Sequence, residues 1–388
     1  MRVLGVEGYG AGPYGSLYLA DLGAEVIKIE PPGVGDVSRA VGPHFLGQGD
    51  SHFFQTFNRN KRSMTLDLKA AEGRDVMRKL VATADAVLNN LRGDQAEKLG
   101  LRYPDLKSAN PRIVCAHLSA YGREGSRASW PGYDYLMQAE AGYFAFTGEP
   151  GTPPARMGLS MVDYVTGLTA ALGLLAGVLG ARHTGYGMDV DTSLYDAAMY
   201  QLSYPAVWYL NEGTTTERLP RSAHPSLTPC QLFTTADGFI FVMCQTEKFW
   251  RLLTERIGHP ELARRPEFAT FADRLPNRER LTQELDAIFA TRPTPAWLEA
   301  LRGTVPVAAV YDLAQALASP FAAERRAVQS FDHPARKDFR TVASPIRIDG
   351  AVRTPRAGAA LGADTDDILM ELGYDTEAIA AFRSRGVV

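Results

Sequence analysis

The sequence predicts an α/β protein, with a large doubly wound, Rossmann-like parallel-sheet domain and a smaller α+β domain. Three observations carry this. Short apolar strands alternate with helical stretches in β-α-β order over the first half of the chain. A polar stretch bearing three prolines, "LNEGTTTERLPRSAHPSLTP" (210–229), ends that alternation. A hairpin pattern followed by several helical segments begins after it.

Taken in order, "RVLGVE" (2–7) is a short apolar strand. "GAGPYGSLYLADLGAE" follows as a helix, with Pro13 near its start and apolar Leu17, Leu19 and Leu22. "VIKIE" (26–30) is the second strand, and "SMTLDL" (63–68) precedes an amphipathic helix, "AAEGRDVMRKLVATA". "DAVLNN" (85–90) and "RIVCAHLS" (112–119) are two further strands, and "GMDVDTSLYDAAMYQL" (187–202) is a strand–helix pair. Beyond the polar stretch, "CQLFTTADGFIFVMCQ" is a hairpin turning at Asp237–Gly238. Helices are expected in "TEKFWRLLTERIG", "RERLTQELDAIFATR" and "TPAWLEALRG", and "VPVAAVYDLAQAL" completes an α+β unit. The tail, "DTDDILMELGYDTEAIAAFRSRGVV", reads as two short helices returning to the first domain. The expected boundaries are 1–205 for the first part of the large domain, 206–219 for a linker, 220–325 for the small domain, and 326–388 for a linker and C-terminal return.

Composition narrows the function. With 388 residues and a formal charge of −3, the chain has room for two domains and no basic field for nucleic acid or an anionic membrane. Three widely spaced cysteines, none in a C-x-x-C pair, point away from a disulfide framework or a zinc site and toward a reducing, cytoplasmic compartment. The start, "MRVLGVEGYGAGPYG", does not read as a secretory signal. Tyr164–Ala181 is an uncharged run of 18 residues, but its two threonines and four glycines favour a buried helix of a soluble enzyme over a membrane span. Gly8, Gly10 and Gly12 lie between the first strand and helix, and Glu30 ends the second strand. The spacing is G-x-G-x-G followed by Pro13, a poor match to a dinucleotide fingerprint, so NAD is not expected.

Several stretches together resemble one family, the class III coenzyme A transferases with the related acyl-CoA racemases. They are "LADLGAEVIKIEPPGVGDVSR" (19–39), "FNRNKRSMTLDLK" (57–69), "ADAVLNNLRGDQAEKLGL" (84–101), "GYDYLMQAEAGYFAFTG" (132–148), "MVDYVTGLTAALGLLAGVLGARHTGYGMDVDTSLYDA" (161–197) and the ending "LGADTDDILMELG…GVV". The resemblance implies an interlocked homodimer with its active site between the large domain of one subunit and the small domain of the other. It also implies CoA and acyl-CoA as substrates with a small organic acid, and no metal.

Asp163 is the one charged residue in Met157–Ala181. Ser160-Met-Val-Asp163 fits a capping box, and an acid in a first helical turn suits the helix dipole. The family's catalytic aspartate falls on the same residue, and both readings expect an ionised carboxylate. The resemblance puts the CoA site on Leu66 to Lys69, on Asn90, Leu91 and Arg92, and on Lys98, with Tyr133 facing the pantetheine arm and Asp134 lining the acyl pocket. The racemase branch carries a histidine in a G-H-D stretch, and here that stretch is Gly132-Tyr133-Asp134. His117 and His183 read as structural, as do the basic residues Arg59, Lys61 and Arg62. The sequence departs from the family at three places. Pro31 stands where an arginine is common, and Arg39 is the candidate to replace it. Gly10 stands where some transferases carry a polar side chain. "RSAHPSLTP" around His224 replaces a glycine-rich lid, which disfavours the formyl/oxalate pair. The expected activity is CoA transfer between an acyl-CoA and a carboxylic acid through an aspartyl anhydride and aspartyl-CoA thioester. The alternatives are a 2-methylacyl-CoA racemase and a non-catalytic CoA-binding protein.

Overall fold

Six short strands line up as one parallel sheet in the computed structural model, which describes residues 1–388. They are β1 (Arg2–Val6), β2 (Glu25–Glu30), β3 (Arg62–Thr65), β4 (Ala86–Asn89), β5 (Val114–Ser119) and β6 (Met188–Ser193). Their order is β3-β2-β1-β4-β5-β6, with every neighbouring pair parallel. β4 and β5 are buried along their whole length, as strands covered on both faces are. One face carries Leu4, Ile27, Met64, Val87 and Cys115, which pack with Val76 and Leu80 of the helix Ala71–Thr83. Ile368, Leu369, Ile379 and Phe382 of the two C-terminal helices complete that layer. Helix Met161–Thr184 lies against the other face, where a Cβ on Gly173 would meet Val190 and one on Gly177 would meet Val114, each at 2.8 Å. The strand order reverses between β1 and β4, so the loops after these strands part at the carboxyl edge and leave a crevice there.

The chain divides into two units. The first holds Met1–Ala141, Met157–Leu202 and Phe321–Val388, and the second holds Gly142–Arg156 and Ser203–Pro320. In the second unit, β7 (Cys230–Thr234), β8 (Phe239–Met243) and β9 (Val307–Ala309) form an antiparallel sheet. Trp250, Phe268, Phe289 and Trp297 fill the core between it and the helices Glu247–Arg256, Arg278–Phe289 and Thr294–Leu301.

Several expectations need amendment. Ser203–Glu212 is helical, so the expected linker at 206–219 begins inside a helix; "SYPAVWYL" is apolar, and polar character starts only at Asn211. Gly142–Arg156 belongs with the second unit although it falls inside the range expected for the large domain. The tail is not all linker before its terminal helices: β10 (Val328–His333) and β11 (Arg336–Val342) form an antiparallel hairpin. Facing Phe331 and Phe339 anchor it on Leu46. The long helix is not buried all round. Its glycine face meets the sheet, while Leu172 and Leu179 on the other face are 70% and 72% exposed. It is the one helix long and apolar enough to cross a membrane, and 44% of its most apolar window is buried within the chain.

Candidate active site

The site is assembled where the loop after β1 meets the start of the long helix. Buried Glu7 directly follows β1, and Gly8-Tyr9-Gly10 leads into the helix Ala11–Asp21. Polar groups fix this loop. Asn90, just past β4, accepts from the Gly8 N–H at 2.9 Å and donates back to the Gly8 carbonyl at 2.7 Å. Asp36 accepts from the Tyr9 N–H at 3.0 Å and pairs with buried Lys28 at 2.8 Å. Between these two clamps Tyr9 takes φ +67°, a left-handed conformation that a bulky residue holds only where its surroundings impose it. Beneath the loop, Lys61 donates to Glu7 at 2.8 Å and to the Pro13 carbonyl at 2.9 Å.

Gly10 closes on the long helix. A Cβ there would stand 2.6 Å from Asp163 Oδ2, so a larger residue would displace the carboxylate from where it sits against the loop. The first and long helices themselves cross at glycines. A Cβ on Gly15 would run into the Gly167 carbonyl, and one on Gly167 into the Ala11 carbonyl.

Asp163 is the third residue of the long helix and is 9% exposed. Ser160 does not cap this helix with its side chain, so the expected capping box is absent. The Asp163 N–H donates instead to Asp134 Oδ2 at 2.9 Å. Asp134 is buried at the start of helix Asp134–Glu140, and its other oxygen accepts from Gln138 Nε2 at 2.6 Å. A second acid therefore does the capping, from another element, and the electrostatics reverse. Burial first, and the Asp134 charge second, push the Asp163 carboxyl up to about 7. The sequence leads one to expect that the helix terminus favours the ionised carboxylate; burial and the Asp134 charge act against that form.

Asp163 lies between two adjoining cavities. One, of about 370 Å³, includes Gly8, Asn90, Leu91, Arg92, Ala120 and Gly132 in its lining. The other, of about 490 Å³, is walled by Phe53, Phe57, Tyr135, Leu136, Ser160 and Tyr164. Tyr9, Gly10, Tyr133 and Asp163 line both. The first occupies the crevice where the strand order reverses, and its Arg92 is exposed.

Of the residues singled out from the sequence, Gly10, Asn90, Leu91, Arg92, Tyr133, Asp134 and Asp163 are thus brought together. Asn90 spends its amide on the Gly8 loop. The others are placed elsewhere. The Leu66 side chain is in the core under the sheet. Lys69 is exposed beyond β3. Lys98 pairs with Asp94 at 2.6 Å and lines a separate cavity with Arg74 and Arg78. Arg39 cannot stand in for the arginine missing at Pro31. Its buried guanidinium holds both oxygens of Glu30 at 2.8 Å, donates to the Ala359 carbonyl and lies 3.7 Å over the Phe54 ring. Glu30 in turn accepts from Ser63 at 2.7 Å, so neither group is left to reach a ligand.

Arg59 pairs with Asp21, Lys61 with Glu7, and Arg62 with Glu25 and Glu371, as the structural reading expects. His117 is buried between Asn89 at 2.8 Å and Asp189 at 2.9 Å, and no histidine lines either cavity at Asp163. The sequence reading did not find the aromatic wall. Phe53 and Phe57 lie one helical turn apart on His52–Asn58, whose cap Ser51 accepts from the Phe54 N–H at 2.9 Å. The signal was present as "SHFFQTFN", a cap followed by aromatic residues at helical spacing.

Comparison with known proteins identifies the family. Residues 1–365 match the family model described as CoA-transferase family III. A succinyl-CoA:mesaconate CoA-transferase of Haloarcula marismortui is 33% identical over 386 residues, which is 97% of this chain and 96% of that relative. The human succinyl-CoA:glutarate CoA-transferase is 31% identical over 391 residues, which is 100% of this chain and 89% of that relative. A CaiB/BaiF family protein from Brucella suis, known by its crystal structure, superposes with a TM-score of 0.81 at 30% identity, covering 96% of this chain and 98% of that one. With a parallel α/β sheet of matching architecture and a family match over nearly its whole length, the chain belongs to CoA-transferase family III and is an enzyme of that class.

Proposed function

We propose that the enzyme moves CoA from an acyl-CoA to a free carboxylic acid by way of covalent intermediates on Asp163. The observation that carries this reading is the position of Asp163, a sheltered carboxylate at the junction of two cavities. The cavity with Arg92 takes the pantetheine end of CoA, and the aromatic cavity takes the acyl group. Lys69, exposed on the same carboxyl edge, and Arg92 serve the phosphates of CoA.

In the first step an Asp163 oxygen attacks the thioester carbonyl. A C–O bond forms, the C–S bond breaks, and CoA leaves as thiolate, giving a mixed anhydride. The thiolate then attacks the aspartyl carbonyl, and the donor acid departs as carboxylate. The acceptor carboxylate attacks the resulting aspartyl-CoA thioester, and the released thiolate takes the acceptor acyl group from the second anhydride. Asp163 returns as carboxylate, with no net change in protons or electrons. The leading amides of helix Ala11–Asp21, which have no acceptor within the helix, are the donors to the developing oxyanion. The aromatic wall keeps water from the anhydride.

A racemase would need a second acid/base across the α-carbon. Both nitrogens of His117 are engaged, and Tyr133 stands where that branch has histidine. Our reading also includes a cytoplasmic homodimer, with the exposed leucine face of the long helix covered by a second copy. The free, buried Cys115, Cys230 and Cys244 suit a reducing compartment. The test is to incubate the enzyme with acyl-CoA donors and hydroxylamine. A hydroxamate on the Asp163 peptide, lost in Asp163→Asn, is expected. Solvent deuterium entering C2 of an acyl-CoA with no acceptor acid, and no hydroxamate, would replace transfer with racemisation.

A further inference from the structure

We infer that Asp36, backed by Lys28, is a positioning residue for CoA transfer: it fixes the turn at Tyr9 that sets Gly10 and the first amides of helix Ala11–Asp21 against Asp163. The inference rests on the proposed role of Asp163. Lys28 and Asp36 are 1% and 5% exposed, and every group concerned belongs to the first unit, so a second copy cannot reach the pair. The two side chains line neither cavity at Asp163 and act through the backbone they hold.

The loop after β1 is grasped on either side of Gly8. Lys28 Nζ donates to the Glu7 carbonyl at 2.8 Å, and Asp36 Oδ1 accepts from the Tyr9 N–H at 3.0 Å. Lys28 and Asp36 meet at 2.8 Å, which closes a ring of contacts around Gly8. The fit is tight, since a Cβ on Gly8 would stand 3.3 Å from Asp36 Oδ1. Asp36 is itself held. Its N–H donates to Glu30 Oε2 at 2.9 Å, and its Oδ1 also accepts from the Ser38 N–H at 2.9 Å.

Asn90 anchors Gly8, but the strained residue is the next one. Tyr9 takes φ +67°, a conformation that an unheld tyrosine leaves for the extended region. Gly10, which lies against Asp163 Oδ2, moves with that turn, and so does the helix start, where the Tyr14 N–H donates to the Gly10 carbonyl at 2.9 Å. A buried ion pair is a weak stabiliser, and apolar residues of similar volume commonly replace one at no cost. Such residues could not accept from the Tyr9 N–H. What the pair supplies is geometry, and a displacement of about 1 Å at reacting groups can lower a rate about a hundredfold.

Hydrogen exchange and turnover of the full-length enzyme test this. The Tyr9 amide, resolved by fragmentation mass spectrometry, should exchange at least tenfold more slowly than a free amide, and exchange at the free rate overturns the inference. Two double variants then share the loss of the ion pair and differ in the acceptor. Lys28→Met/Asp36→Asn keeps an oxygen for the Tyr9 N–H, and Lys28→Met/Asp36→Leu does not. Hydroxamate formation at Asp163 is followed with acetyl-, butyryl- and succinyl-CoA as donors. Its kcat should stay within threefold of wild type in the Asn variant and fall at least tenfold in the Leu variant, with the donor KM within threefold in both. Equal kcat in the two overturns the inference, whatever their melting temperatures. Adding Tyr9→Gly, a residue that adopts positive φ unaided, should narrow the gap between them to less than threefold, and an unchanged gap overturns the inference too. No hydroxamate from any donor in the wild-type enzyme, with the Tyr9 amide still protected, overturns the covalent mechanism and leaves the clamp on the loop standing.

Discussion

Burial and the Asp134 charge push the Asp163 carboxyl up to about 7, and this has consequences for both rate and stability. The nucleophile must be ionised, so kcat/KM should rise with pH to a plateau with a midpoint near 7, the pKa of the buried group. The unfolded chain releases this proton near 4 and the folded chain near 7, so between those values the folded state holds the extra proton. Its stability therefore falls as pH rises across that window. Asp163→Asn should abolish the hydroxamate and raise Tm at pH 8, by an amount corresponding to a few kcal/mol, with the two melting curves converging below pH 4. Gly10→Ala tests the fit of the same carboxylate. Its Cβ would lie 2.6 Å from Oδ2, so kcat should fall at least tenfold while the circular dichroism spectrum is unchanged. At this scale the sequence was only partly legible. "SMVD" reads as a capping box because Ser and Asp have the right spacing, but the competing acid, Asp134, comes from a helix 29 residues earlier. Local spacing cannot report a partner delivered by tertiary structure. Arg39 misled for a similar reason, since its partner Glu30, at the end of β2, meets it only once the intervening turn has folded.

The elements carry the site through their ends. The short helix Asp134–Glu140 presents a carboxylate to a buried first-turn amide of the long helix, and Gln138 ties that carboxylate to its own helix. Asp134→Ala should cost about 1–2 kcal/mol in urea unfolding, the usual range for losing a helix cap. Asp134→Asn keeps an acceptor and removes the charge, so most of that stability should be retained while the pH midpoint of kcat/KM moves to lower pH. The strands were the most legible elements, because β4 and β5 are mostly apolar and buried on both faces. The hairpin β10–β11 was not, because its strands are largely exposed and only Phe331, His333 and Phe339 are buried. The 157–159 segment is likewise held by contacts to Gln138, at 3.0 and 3.1 Å, that no sequence pattern announces.

Across the whole molecule, the crevice at the β1/β4 switch follows from strand order, and alternating strands and helices foretold it. What they could not foretell is the charged layer beneath the catalytic loop, where Glu7–Lys61, Lys28–Asp36 and Glu30–Arg39 are all buried. Lys61 is wholly enclosed, and burial pulls its ammonium down to about 8. Lys61→Met strands Glu7 without its partner and should destabilise the fold by about 3–5 kcal/mol. Adding Glu7→Gln should recover part of that loss, and chemical denaturation of the single and double variants measures the coupling.

The crossing of Gly15 and Gly167 has a bearing on attempts to make this enzyme hardier. Each is a helical glycine, the kind of position where alanine ordinarily strengthens a helix by about 1 kcal/mol. Here a methyl group would meet a carbonyl of the opposing helix and drive the two axes apart. Since Gly10 begins one of these helices and Asp163 lies in the first turn of the other, such a variant would widen the gap across which the acyl group is handed over. Heat tolerance sought at these two positions would be bought with turnover.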